Sequence, residues 1–404
     1  MTDTTSAPAA AHTTAPDADA PPARIDGAAR RARQERLWQA LDAAGLDALF
    51  LPPQADLEYF TGLERRLPSF GEIGYAHHWV AGALIVPGNA PVFVLPRMIR
   101  EFDLPAGVDG EVVEVSELDD GAALFRRALD EAAPKASRIG IGPRAWARTA
   151  LHILEARPGV QLADAGAVTN GIRRIKDDSE LALMRRAAHL VDGVLAGIEP
   201  LVVAGVAELD LASEIDLRMR RLGSRGASFD TGVWSMGTGT QRDASVRLSN
   251  EVLDPGVGVS FDFGSIVEGY CSDFGRTVHI GEPSEEYVTV HGLVMAAQEA
   301  GRQAARPGAT AGDVHRATRA VIVEGGYGDW FRHRTGHCIG MDVHELPYIS
   351  EEDETVLEPG MTFTIEPSVF WPGRVGVRVE DVFVVTDSET VSLNEHPTTL
   401  VAND

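Results

Sequence analysis

Two cysteines in 404 residues, Cys271 and Cys338, are too few for a disulfide framework, and no Cys/His spacing matches a zinc ribbon. A reducing, cytoplasmic setting is the expectation. Positive charge is scarce as well: 36 Lys+Arg stand against 60 Asp+Glu, giving a formal net charge of -24 and a pI near 4.9. Such a chain repels a phosphate backbone and an anionic lipid surface, which argues against nucleic-acid and membrane partners. No apolar run is long enough for a membrane-spanning helix. No internal repeat is visible either. Residues 1–23, rich in Ala, Thr, Pro and Asp, have neither the basic start nor the apolar centre of a secretory signal, and their composition predicts a disordered tail.

What remains divides into two parts. From residue 24 to 167 the pattern alternates helix and strand. "ARRARQERLWQALDAAGLDALFLPP" reads as a helix carrying Leu37, Trp38 and Leu41, stopped at Gly45 and followed by an apolar strand. "WVAGALIVPGNAPVFVLP" reads as a hairpin around Gly88 and Asn89, and "SRIGIGP" as a further strand, so this part is a small α/β domain. The join lies around Val168 to Lys176. Asp177 and Glu180 then stand as a capping pair for a helix whose apolar face is Met184, Ala187, Ala188, Val191, Leu195 and Ile198. Residues 177–404 mix Gly-bounded strands with helices such as Glu285 to Ala304, which predicts an α+β domain built on an antiparallel sheet.

The chemistry sits in those strands. In "VGVSFDFGSIVEGYCSDFGRTVHI", Val257, Val259, Phe261 and Phe263 alternate with Gly258, Ser260 and Asp262, the pattern of a half-buried strand. A hairpin centred on Val267 and Glu268 sets Asp262 opposite Asp273, both on one face, where like charges repel. A positive group is expected between them. Alternation also brings Glu366 out of "MTFTIEP" opposite Met361, Phe363 and Ile365. Arg378 and Glu380 emerge in the same way from "VGVRVEDVFVV", and "HRTGHCIGMDVHELP" adds His333, His337 and His344. Four carboxylates and one neutral imidazole carry about -4, which two divalent cations cancel. An oxygen-rich donor set with one nitrogen suits Mn, Fe, Co or Zn. Paired ions of this kind bridge a water, lower its pKa and polarise a carbonyl, so metal-assisted hydrolysis is the predicted reaction class.

These motifs resemble those of the creatinase, prolidase and aminopeptidase P family of metallopeptidases, whose catalytic domain has the pita-bread fold. The family pattern is an Asp, a second Asp eleven residues on in "GY-x-SD-x-x-RT", a His in "GH-x-x-G", a Glu in "T-x-EP" and a Glu in "VR-x-ED". Here they are Asp262, Asp273 in "GYCSDFGRT", His337 in "TGHCIG", Glu366 in "TIEP" and Glu380 in "VRVED". "LEYFTGLERR" and "IRRIKDDSELALMRRAA" extend the likeness to a creatinase-type N-terminal domain. The resemblance implies that Asp262, Asp273, His337, Glu366 and Glu380 bind two divalent metal ions, manganese first among the candidates. It implies further that Glu366 is the general base, that His344 approaches the scissile amide or its oxyanion, and that His333 and Arg378 contact substrate. It also implies a homodimer in which Arg65 or Arg66 could reach the other subunit's site. The expected substrate is a dipeptide or small peptide of Xaa-Pro type.

Three positions depart from the family pattern. Proline-directed members carry a further His before the first Asp, whereas this chain has none between His189 and His279. They have a Tyr four residues after the "EP" glutamate, where this chain has Phe370, and a Gly where it has Cys338. Cys338 reads as a space-filling residue. Arg242 and Asp243, in the divergent stretch, read as a loop ion pair, with substrate contact as the other option. The lost imidazole and hydroxyl keep a second reading open: a non-peptide amidohydrolase or lyase for a small zwitterion, using the same metal site.

Overall fold

The computed structural model describes residues 25–65, 76–104, 107–238 and 242–404. The tail expected over residues 1–23 and Arg66 lie outside them. The helix Gly27–Ala43 opens at Asp26, whose side chain accepts the Ala29 N–H at 2.7 Å, and the chain leaves it through Gly45 in a left-handed conformation, φ 63°. Leu37 and Leu41 on its inner face are fully buried.

Six strands follow: β1 (Ala48–Leu51), β2 (Gly82–Ile85), β3 (Val92–Pro96), β4 (Glu111–Val115), β5 (Arg138–Ile141) and β6 (Gln161–Asp164). They form one mixed sheet in the order β4-β3-β2-β1-β5-β6. The β2–β3 hairpin pairs Gly82 with Val94 and turns near Gly88 and Asn89, as the sequence predicts.

The helix Gly166–Arg173 leads into a capping box at Asp177 and Glu180 and the helix Asp178–Ile198. Met184, Ala187, Ala188, Val191, Leu195 and Ile198 are all buried, so the 3.6-residue period found its core. Beyond it come β7 (Gly232–Gly237), β8 (Val257–Phe263), β9 (Ile266–Val267), β10 (Tyr270–Cys271), β11 (Phe274–Ile280), β12 (Gly336–Cys338), β13 (Glu345–Ile349), β14 (Thr362–Ile365), β15 (Ser368–Trp371), β16 (Val375–Arg378), β17 (Asp381–Val385), β18 (Thr390–Ser392) and β19 (Val401–Asn403). A four-stranded sheet, β19-β11-β8-β7, and a five-stranded sheet, β13-β12-β14-β17-β18, are antiparallel except where β19 joins β11; a separate ribbon pairs β15 with β16. The helices Glu208–Arg221, Glu285–Ala304 and Ala311–Glu324 complete the α+β architecture. One apolar cluster runs from Leu37, Phe60 and Leu95 of the N-terminal part to Ile266, Tyr270, Ile339 and Val382 of the C-terminal part. The two parts therefore share a core.

Two expectations about the β8–β11 hairpin need correction. All seven residues of β8 are buried, so the strand is covered on both faces. Ser260 on the polar face bonds the Thr277 hydroxyl at 3.1 Å and reaches the Gly376 carbonyl at 3.4 Å. The turn is also centred one residue later than predicted, on Glu268 (φ 47°) and Gly269 (φ 88°), both in the left-handed region that a primed hairpin turn requires. That moves every partner by two, and Asp262 faces Gly275 rather than Asp273. A shift of two preserves parity, so the inference that both carboxylates share a face survives the change of register.

Candidate active site

Asp262 lies one residue from the end of β8, with Phe261 and Phe263 buried in the core on the other face. Its cross-strand neighbours are Gly232 on β7 and Gly275 on β11. Neither has a side chain to cover the carboxylate. Gly275 also exchanges main-chain hydrogen bonds with Glu380, at 3.2 and 2.9 Å, and this bridge joins the four-stranded sheet to the segment between β16 and β17. A Cβ at position 275 would stand 2.9 Å from Arg378 Cδ and 3.0 Å from both Cβ and Oε2 of Glu380, so only glycine permits this approach.

His337 occupies β12 beside a bulge, and Glu366 follows β14. Thr364 ties them together: its hydroxyl accepts the His337 N–H at 3.1 Å and donates to Glu366 Oε1 at 3.2 Å. His337 Nε2 stands 3.3 Å from Asp273 Oδ2 and 3.5 Å from Glu366 Oε1. One donor atom each of Asp273, His337 and Glu380 lies within 4.8 Å of the others. Arg378 hydrogen-bonds Asp262 and approaches Glu380 Oε2 at 3.5 Å and Glu366 Oε2 at 3.6 Å. All five acid and imidazole positions singled out in the sequence are buried and line one cavity, while among the described residues the close group of donor atoms is Asp273, His337 and Glu380, and Asp262 Oδ2 is held by Arg247 and Arg378.

The electrostatics follow from burial. Desolvation pushes Asp273 up to about 6, opposed by the His337 hydrogen bond and reinforced by the charge on Asp262. Glu380 rises well above the carboxylate range, because it is buried and then because Asp273, Glu366 and Asp262 surround it. Burial acts to raise Glu366 too, but Arg378, His333 and His337 bring it below its ordinary value. Burial lowers His333 to about 4, helped by Arg378, and partial desolvation by the cavity wall, helped by His337, lowers the otherwise exposed His344 to about 4. Both imidazoles are therefore neutral at pH 7.

The donor set suits a cation. His337 Nδ1 faces the Cys338 carbonyl at 3.1 Å, which places a proton on Nδ1 and turns the Nε2 lone pair toward two carboxylates. Such a lone pair needs a proton or a metal in front of it. Asp273 Oδ1 is buried and has no hydrogen-bond partner among the described residues. An orphaned carboxylate oxygen beside an imidazole held by a carbonyl is what a hard or borderline divalent ion would satisfy.

Around this cluster lies a cavity of about 480 Å³. His333 enters with Nδ1 on the Arg334 carbonyl at 2.7 Å and Nε2 on the Ser368 hydroxyl at 2.6 Å. The His344 ring meets the His337 ring edge-on, with centroids 4.2 Å apart. Phe370 packs edge-on against Trp234 at 5.6 Å. Cys338 lies within an apolar cluster with Ile349 and Phe363, in keeping with a space-filling role. Arg242 and Asp243 do not pair with each other: Arg242 hydrogen-bonds the buried Glu208, while Asp243 on the cavity wall holds Arg332 at 2.9 Å. Arg65 is buried against Glu58, Gly269, Met341 and Asp342 of its own chain.

Sequence reasoning missed Arg247, whose Nη2 bonds Asp262 Oδ2 at 2.5 Å and whose guanidinium lies 5.5 Å from the Trp234 ring centre. Its main chain is fixed by the bond from the Val233 N–H to the Arg247 carbonyl at 2.7 Å. It missed Arg332 and Arg334 as well. The signal available was the run Arg332-His333-Arg334, in which every residue lines the cavity because the segment is a loop without strand alternation.

Residues 182–387 match the model of metallopeptidase family M24, and residues 33–175 match the creatinase/prolidase N-terminal domain. The chain belongs to metallopeptidase family M24. It is 34% identical over 366 residues to the "Probable dipeptidase PepE" of Mycobacterium tuberculosis, covering 89% of this chain and 92% of that protein. Among solved structures, a dipeptidase from Pyrococcus horikoshii OT3 is 31% identical with a TM-score of 0.81, covering 92% of this chain and 99% of that one. A prolidase from Thermococcus sibiricus is 28% identical with a TM-score of 0.84, covering 94% and 100%. The family, the two-part fold and a metal-dependent hydrolase follow, as the motifs led one to expect. Membership of metallopeptidase family M24 implies divalent metal ions. No described helix is long and apolar enough to cross a membrane.

Proposed function

We propose that this M24 hydrolase cleaves the amide of a dipeptide or small peptide of Xaa-Pro type, with two divalent ions, manganese first, held by Asp262, Asp273, His337, Glu366 and Glu380. The observation that carries the reading is the convergence of Asp273, His337 and Glu380, with an Asp273 oxygen left unsatisfied in the interior. Ions bound there would supply Lewis-acid polarisation of a carbonyl and a water acidic enough to ionise near neutral pH. Glu366, kept ionised by Arg378 despite its burial, accepts the proton of the attacking water and passes it to the leaving nitrogen. His344, a neutral imidazole on the cavity wall, donates an N–H to the carbonyl oxygen as negative charge develops there. His333, its ring fixed by Arg334 and Ser368, and Arg378 meet the polar ends of the substrate. A cytoplasmic homodimer completes the reading, and sedimentation velocity checks the dimer.

A second reading, a small zwitterion in place of a peptide, draws support from the cavity wall itself. Ser245, Arg247 and Phe370 line it, and residues 190–278 hold no histidine. A manganese-supplemented assay over Xaa-Pro dipeptides and small amides, with metal measured on the same sample, separates the two. Proline release from Ala-Pro supports the first; metal-loaded protein that consumes only a small zwitterion supports the second. Asp262→Ala should abolish both bound metal and turnover, and retained turnover contradicts the assignment of Asp262.

A further inference from the structure

The loop between β12 and β13 carries His344 into the cavity, and the N-terminal part of the chain grips that loop from three separate points. Asp342, two residues before His344, takes Arg65 Nη1 at 3.3 Å, Arg144 Nη1 at 2.5 Å and Arg173 Nη2 at 2.8 Å. Arg65 follows the helix Ala55–Thr61, Arg144 follows β5, and Arg173 closes the helix Gly166–Arg173. The grip continues on both sides of Asp342. Arg65 hydrogen-bonds the Met341 carbonyl, and Arg173 and Lys176 hold Glu345, the lysine at 3.0 Å. From the metal side, Cys271 donates its N–H to the Gly340 carbonyl at 2.8 Å and its thiol to the Met341 carbonyl at 3.4 Å. Every residue from Gly340 to Met341, Asp342 and Glu345 is thus tied down, and Val343 and His344 are left facing the cavity. His344 is itself exposed, with the His337 ring as its aromatic contact.

The loop is largely buried, with Gly340, Met341 and Glu345 inside and Asp342 and Val343 partly covered, and His344 is its exposed residue. Here three guanidinium groups, two of them buried, converge on the one carboxylate whose loop ends in a group aimed at the substrate. We propose that the N-terminal part is a positioning device for catalysis: the Arg65, Arg144 and Arg173 grip on Asp342 sets where His344 stands over the active site. This deepens the reading of His344 as the group that meets the developing oxyanion, and it rests on that reading. None of the three arginines lines the cavity or belongs to the metal cluster, so Asp342 and its partners act through His344.

Arg144 gives the cleanest test, because its side chain is half exposed and its removal leaves the buried Arg173 and Arg65 contacts in place. In Arg144→Ala, kcat is expected to fall about 10-fold or more, since misplacing a catalytic group by about 1 Å costs up to about 100-fold. KM, metal content and Tm should stay at wild-type values, and Arg144→Lys should recover part of kcat. Asp342→Asn, which removes all three ion pairs without changing shape, should lose more. Arg100→Ala, which removes an ion pair of the same N-terminal part with Glu114 at 2.7 Å, should leave kcat unchanged. Unchanged kcat in both Arg144→Ala and Asp342→Asn overturns the proposal, and so does a loss of kcat that tracks lost metal. Should wild-type protein turn over no substrate in the panel, the hydrolase reading fails but the grip is still readable. The ring Cε1–H resonance of His344, assigned with His344→Gln, shifts in Arg144→Ala if the grip positions the imidazole, and an unshifted resonance overturns it.

Discussion

Gly275→Ala tests whether the site depends on close approach of main chains. The added methyl would meet Arg378 Cδ at 2.9 Å and two atoms of Glu380 at 3.0 Å, at or inside the closest distances such carbon atoms tolerate. The main chain cannot retreat, because Gly275 and Glu380 exchange hydrogen bonds at 3.2 and 2.9 Å and Gly275 also pairs with Asp262 on β8. The side chains must yield instead. Overpacking a full interior costs about 1–3 kcal/mol, and the reduced freedom of the unfolded alanine chain returns about 0.4–1 kcal/mol. The net loss, about 1–2 kcal/mol, corresponds to a fall in Tm of a few degrees. Activity should suffer far more than stability, because the two residues displaced are Arg378, which holds Asp262, and Glu380, whose carboxylate belongs to the cluster. Manganese titration by calorimetry should show affinity reduced about 10-fold or more, the scale seen when neighbours of metal ligands are disturbed. Differential scanning fluorimetry on the chelated protein gives the stability. A variant with wild-type Tm and wild-type manganese affinity would falsify the reasoning that the bridge at 275 leaves no room.

Arg247→Ala should raise KM for an anionic or zwitterionic substrate by about 10-fold while leaving Tm within a degree, since the side chain is half exposed and lends the cavity a charge; an unchanged KM removes Arg247 from substrate recognition. His291, buried on the helix Glu285–Ala304, predicts an acid limb in stability. Burial and then the charge of Arg276 depress it to about 4 from an ordinary 6.5. A folded state that prefers the neutral ring holds its full stability above about pH 6.5 and loses it as pH falls toward 4, by up to about 3 kcal/mol. His291→Gln should flatten that part of the urea-midpoint profile between pH 6.5 and 4, and an unaltered slope would show that His291 carries none of it.

How much of this was legible in the sequence depends on the range of the interactions involved. Strand period decides which face a residue takes, so Asp262, Arg378, Glu366 and Glu380 could be placed on the polar faces of apolar strands from local pattern alone. Parity is robust to register, which is why a hairpin turn misplaced by one residue still put Asp262 and Asp273 on one face. The turn itself was misjudged because Glu268, a non-glycine residue, takes a positive φ beside Gly269. The expectation that β8 is half buried failed for another reason: β16 lies across its polar face, with the Gly376 carbonyl meeting Ser260, and no local pattern announces a strand more than a hundred residues away. The Asp342 grip escaped for the same cause, since its arginines come from elements far away in sequence. Arg247 is only fifteen residues from Asp262, but in an acidic chain a single arginine in a loop has no period to set it apart.

The charge balance of the site explains why these distant contacts matter. Four buried carboxylates face one another, and among the described residues Arg378 is the buried cation that enters the cluster. Left so, the cluster relieves its repulsion by taking up protons, which is the direction in which Asp273 and Glu380 are both displaced. Divalent cations relieve it without protonation and leave Glu366 ionised, so the group that accepts the proton of water and the groups that tolerate the metal are set by the same burial. Nothing in β8, β12, β14 or β16 taken singly would hold that balance. The glycine bridge at 275, the Thr364 hydroxyl between His337 and Glu366, and the carbonyl behind His337 fix the distances at which it holds. Chemistry in this chain therefore resides in how the sheets are joined, and a substitution at a joint should be felt in metal affinity and kcat before it is felt in folding.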